Sequence, residues 1–97
     1  MAGALVVANL RLTDRERYNR YAAAFPAVFA SSGGQVLAAD ESPKPIDGDG
    51  AGVEKIVVLR FDSEDAARHF LNSPDYVRIC EDRDAGANLD SWIVRAF

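Results

Sequence analysis

A chain of 97 residues allows one domain, spanning 1–97, with one modest core. Its 48% hydrophobic content excludes a disordered chain, and its net charge of −4 argues against nucleic acid or an anionic membrane as the main partner. No apolar run approaches ~20 residues, so no membrane span is expected. The start, Met1-Ala2-Gly3-Ala4-Leu5, has no basic segment ahead of an apolar one and does not read as a secretion signal. Cys80 is the lone cysteine, which points to a reducing, cytoplasmic setting.

Residues Leu5 to Leu12 are β-branched and aliphatic without a breaker, and read as the first strand. Thr13, three residues before Glu16, reads as a capping box that opens helix one. Tyr18, Tyr21, Ala22, Phe25, Val28 and Phe29 then share one helical face, and Ser31-Ser32-Gly33-Gly34 ends the helix. Gln35 to Ala39 is a short second strand. Asp40 to Gly52, with two prolines and several acids, reads as a loop too polar to pack.

Glu54 to Phe61 is the third strand and the best candidate for a central one. Ser63 caps helix two, whose inner face is Ala66, Ala67, Phe70 and Leu71. Pro74 breaks that helix and opens a short third one, from Asp75 to about Asp84, which Gly86 closes. Leu89 to Phe97 is the last strand. The order is that of an α+β, ferredoxin-like βαββαβ fold: a four-stranded antiparallel sheet with its helices on one face. Strands one and three are oily on both sides: Leu5 and Val7 against Val6, Ala8 and Leu10 on the first, and Val57, Leu59 and Phe61 against Ile56 and Val58 on the third, so one apolar side is left uncovered. Bare, that face would exceed the few hundred Å² usual for a monomer, so a homodimer through the sheet face is expected.

The sequence resembles domain-of-unknown-function family 1330, within the dimeric α/β-barrel superfamily. The resemblance rests on Thr13-Asp14 with Tyr18 and Tyr21, on Pro26, and on Gly33-Gly34 followed by Leu37. It continues through Val57-Val58 with Phe61, Ala66 and Ala67, and through Ser73-Pro74-Asp75-Tyr76 with Arg83. It implies a protomer whose sheet packs against its twin, with a small cleft between sheet and helices. Phe70-Leu71 departs from the family pattern, where an aromatic pair is common. Superfamily relatives include cofactor-free monooxygenases, isomerases and haem enzymes, so the fold alone does not choose a chemistry.

Arg83 is the first candidate for a ligand site. It shares a helical stripe with Tyr76, Ile79 and Cys80, and a guanidinium there either grips a carboxylate or enolate oxygen or is sealed in an ion pair, with Asp90 or another acid. The Tyr76 hydroxyl either donates to a ligand or reaches water from the core edge. Tyr18 and Tyr21 both lie on the packed face of helix one and read as core, Tyr21 being the better cleft candidate of the two. Asn9 interrupts an apolar strand and either orients a ligand or satisfies a neighbour. His69, the only histidine, lies off the inner face of helix two and reads as surface or rim.

Pro26 reads as a kink curving helix one over the sheet, and Trp92 as packed in the core or dimer seam. Cys80 reads as a small buried hydrophobe. No phosphate-binding glycine loop, Ser-His-Asp order or metal-ligand spacing is visible, so neither a cofactor nor a metal is expected. The expected function is small-molecule binding by a homodimer, with cofactor-independent catalysis on a small anionic or oxygenated compound as an extension. The alternatives are a non-catalytic binding or structural module, and, by superfamily analogy, a monooxygenase or isomerase.

Overall fold

The aliphatic run at the start of the chain forms β1, Ala4–Leu12, in a computed structural model that describes residues 3–97. Met1 and Ala2, which open the segment examined for a leader, lie outside the described residues. Next come α1 (Arg15–Phe29), β2 (Gln35–Asp40), β3 (Lys55–Phe61), α2 (Glu64–Leu71), α3 (Pro74–Gly86) and β4 (Ala87–Arg95). The strands form one antiparallel sheet in the order β2-β3-β1-β4, so β1 and β3 are both interior.

Strand alternation decides what each face carries. Val6, Leu10, Leu59 and Phe61 point to the helices and join Tyr18, Tyr21, Phe29, Ala67, Phe70 and Tyr76 in the core. Tyr18 and Phe61 are its most deeply buried large side chains. Leu5, Val7, Ile56 and Val58 point away and are only half covered, while Trp92 and Val94 beside them are exposed. Trp92 therefore lies outside the core, on the open face.

Three local expectations differ from the structure. The cap of α1 is Asp14, whose carboxylate accepts from the Arg17 N–H at 3.2 Å, and not Thr13. The Thr13 and Asp14 N–H groups both donate instead to the Gly86 carbonyl, at 2.9 and 3.1 Å, which ties the start of α1 to the end of α3. The third helix is a full 13 residues, longer than the 8 of α2, and it packs along α1 above the sheet.

The 40–52 segment is tied to β1 by the Arg11 side chain, which donates to the Ala51 carbonyl at 2.9 Å, and just beyond it Glu54 accepts from the Leu12 N–H at 2.9 Å and donates its own N–H to the Leu10 carbonyl. Chain polarity thus favoured hydrogen bonding to the β1 backbone. Pro43, Pro45 and Val53 border a surface hollow together with Asn9 and Ile56.

Candidate functional site

The site is built where α3 crosses the sheet beside α1. Pro74 sits at the first position of α3, where its missing N–H costs nothing. Tyr76 and Arg83, seven residues apart, then fall two turns apart on one face. The Arg83 Nη1 donates to the Tyr76 hydroxyl at 3.1 Å, and the Tyr76 and Tyr21 hydroxyls are hydrogen-bonded to each other at 3.1 Å. The close fit of α3 on α1 depends on Gly86, because a Cβ there would run into the Tyr18 backbone N and the Asp14 carbonyl.

These groups line a cavity of about 370 Å³. Its floor is the core face of the sheet, including Val6, Ala8, Leu10, Leu59, Leu89 and Ile93, and Tyr18, Tyr21 and Phe25 close it from above. Arg68, Arg83 and Ser91 add polar groups, and no carboxylate occurs among the described residues of its wall. That volume and mixture suit a small, largely apolar ligand oriented by a few polar contacts.

With the Tyr76 oxygen already accepting from Arg83, one phenolic proton bridges Tyr76 and Tyr21, and where Tyr21 is the donor the Tyr76 proton has the Cys80 sulfur as a neighbouring partner. Burial pushes the Tyr21 hydroxyl far above the ordinary phenol range, with Tyr76 reinforcing the effect. Tyr76 is likewise raised by burial, although its bond with Tyr21 and the charge of Arg83 pull it back. Both phenols therefore stay protonated and able to donate at neutral pH. Burial also raises the Cys80 thiol, outweighing the nearby Arg83. Cys80 is consequently an unreactive neighbour of the site.

Arg83 combines the two readings open from its sequence position. Its Nε and Nη2 reach the carboxylate of Asp84, the next residue, at 3.1 and 3.0 Å, so the partner is not Asp90. Asp90 lies 3.9 Å from Arg11 on the open face. Asp84 is mostly exposed whereas the Arg83 side chain is 21% exposed, so the pair is open to water on one side and to the cavity on the other.

The other expected site residues separate. Tyr21 joins Tyr76 and Arg83. Asn9 does not: its strand position turns it to the opposite face, beside the 43–53 segment. His69 is exposed on α2 and lines none of the cavities described here.

Sequence reasoning passed over Lys55 and Ser91. Both were within reach of the period-two rule, since Val57 and Leu59 face the helices and Lys55 continues that series, while Ser91 lies between Leu89 and Ile93. Lys55 lies beside the cavity with its side chain only 11% exposed and its ammonium 4.8 Å above the Tyr18 ring.

A four-stranded antiparallel sheet, three helices and the neighbours below define the ferredoxin-like class. The chain belongs to the DUF1330 family (Domain of unknown function), whose model matches residues 3–97. No curated protein matches it. It is similar to a solved protein of unknown function from Rhodopseudomonas palustris, with 20% identity and a TM-score of 0.77 over 97% of this chain and 80% of that one. SnoaB, a cofactor-independent oxygenase from Streptomyces nogalater, aligns with 13% identity and a TM-score of 0.74 over 100% of this chain and 95% of that chain. A dimeric ferredoxin-like protein of unknown function from Thermobifida fusca aligns with 18% identity and a TM-score of 0.66, over 99% and 92%. Among the described residues no helix is long and apolar enough to cross a membrane.

Proposed function

We propose that this protein is a cytoplasmic homodimer whose protomers each bind a small, largely apolar molecule carrying a carboxylate or enolate oxygen. The observation that carries this reading is the Arg83–Tyr76–Tyr21 chain. It offers a guanidinium and two protonated phenols to an apolar cavity whose described wall has no acid. An anionic oxygen placed there gains a charge-assisted hydrogen bond in surroundings that strengthen it. The same donors would steady an enolate, the species through which a cofactor-independent enzyme of this kind would act.

Support for the dimer comes from the half-covered apolar face of the sheet and from the dimeric neighbour of the same fold. The free Cys80 supports a reducing, cytoplasmic setting.

The test is calorimetric titration with 2-naphthoate, an apolar body with one carboxylate. Wild type should bind it, Arg83→Ala should bind about tenfold more weakly, which corresponds to roughly 1.4 kcal/mol, and Tyr76→Phe should fall between them. Equal affinity in all three proteins would sink the assignment.

A further inference from the structure

Beside the cavity that Arg83 lines is a second lobe of about 190 Å³, reached past the β2 edge at Val36 and Ala39. The two lobes share Tyr18, Tyr21, Phe25, Val57 and Leu59 as wall; the first carries Arg83, together with Arg68, which is paired to Glu64 at 2.8 Å, and the second carries Lys55. We infer that the cleft takes a two-headed ligand, an extended apolar or aromatic molecule with an anionic group at each end, one held by Arg83 and the other by Lys55. This inference rests on the ligand-binding reading above and names its substrate class.

Lys55 is held inward by geometry. It pairs across β3 and β1 with Leu10, a core residue, so its stem points toward the helices. Its charge is poorly matched there. Its carboxylate partner, Glu41, is shared: Oε2 makes a loose ion pair with Lys55 at 3.7 Å, while Oε1 accepts from Arg15 at 3.1 Å. The Arg15 hydrogen bond, and less strongly Lys55, hold the Glu41 carboxyl below the usual range, so Lys55 has half of a shared carboxylate. The ammonium is left over the Tyr18 ring at 4.8 Å, with no acid among the described residues of the lobe. A half-matched cation on a nearly buried stem favours an incoming anion.

The spacing suits one molecule. Lys55, Leu10 and Leu89 stand on one rung across β3, β1 and β4, so the rung spans about 10 Å at roughly 4.8 Å per strand. Leu89 lines the cavity alongside Arg83. Between the cations run the Tyr18, Tyr21 and Tyr76 rings, with successive centroids 5.6 and 6.3 Å apart and planes inclined at 44° and 68°, so an apolar body there meets ring edges as well as faces.

The experiment compares 2-naphthoate with naphthalene-2,6-dicarboxylate by calorimetry, at equal pH and salt. Wild type should bind the dicarboxylate at least about tenfold more tightly. In Lys55→Met that ratio should fall to about one, and Lys55→Arg should restore most of it. Equal affinity of wild type for the two compounds, or an undiminished ratio in Lys55→Met, overturns the two-headed ligand. If 2-naphthoate binding still weakens in Arg83→Ala under those results, the single-anion reading stands without it. The wild-type comparison needs no variant to fold, and failure of wild type to bind either compound overturns both readings.

Discussion

Tyr21 and Tyr76 show how burial sets the chemistry of single residues here. Each phenol ionises near 10.0 in an unfolded chain and higher in the folded one, chiefly because burial disfavours the phenolate. Below pH 10 both states keep their protons and this contribution to stability is fully present. Above pH 10 the unfolded chain releases protons that the folded chain retains, so stability falls as pH rises. Urea midpoints measured from pH 8 to 11 should therefore drop in wild type and drop less in Tyr21→Phe. At neutral pH the same substitution removes one hydrogen bond and should cost about 1 kcal/mol. Gly86 is a residue-scale constraint of another kind. Its alanine variant places a methyl against the α1 backbone, which cannot yield as a side-chain tip would. A loss of about 2 kcal/mol in urea unfolding is expected.

Among the elements, α1 and α2 start on side-chain caps, and the sequence signals for these were uneven. Ser63 caps α2 as its position suggests, accepting from the Ala66 N–H at 3.0 Å. For α1 the threonine-to-glutamate spacing pointed one residue early. The backbone of Thr13 is committed to the Gly86 carbonyl, a contact 73 residues away that no local pattern displays, and Asp14 takes the capping role. Chemical denaturation should separate the two positions. Asp14→Ala is expected to cost about 1 kcal/mol and Thr13→Ala distinctly less, since the Thr13 contact uses its backbone. Helix faces were easier to read. The apolar spacing along α1 placed Tyr18, Tyr21 and Phe29 inward, where they are buried, because a helix presents every third or fourth residue to whatever it packs on.

For the whole molecule, the decisive feature is a sheet with helices on one side. Val7, Val58, Trp92 and Val94 form an apolar patch on the other side, with Trp92 51% exposed and opposite Val7 in register. Light scattering at micromolar concentration should give twice the 10.5 kDa chain mass. Trp92→Glu should shift the protein toward monomer, because a buried carboxylate without a partner opposes association. A monomeric wild type would remove the dimer from the proposal.

Element order, helix faces and the two-sided oiliness of β1 and β3 were written in the chain itself. They depend on hydrophobic period and turn chemistry, which act over a few residues. The candidate site was legible in part: Tyr76 and Arg83 could be paired by spacing on one helix, while Tyr21 stood as a cleft candidate with no partner assigned. Tertiary structure decided the rest. It joined Tyr21 to them, turned Asn9 to the opposite face, gave Arg83 its neighbour Asp84 as ion-pair partner and brought Lys55 over Tyr18. Those outcomes follow from strand order and register, which are settled by packing between segments distant in the chain.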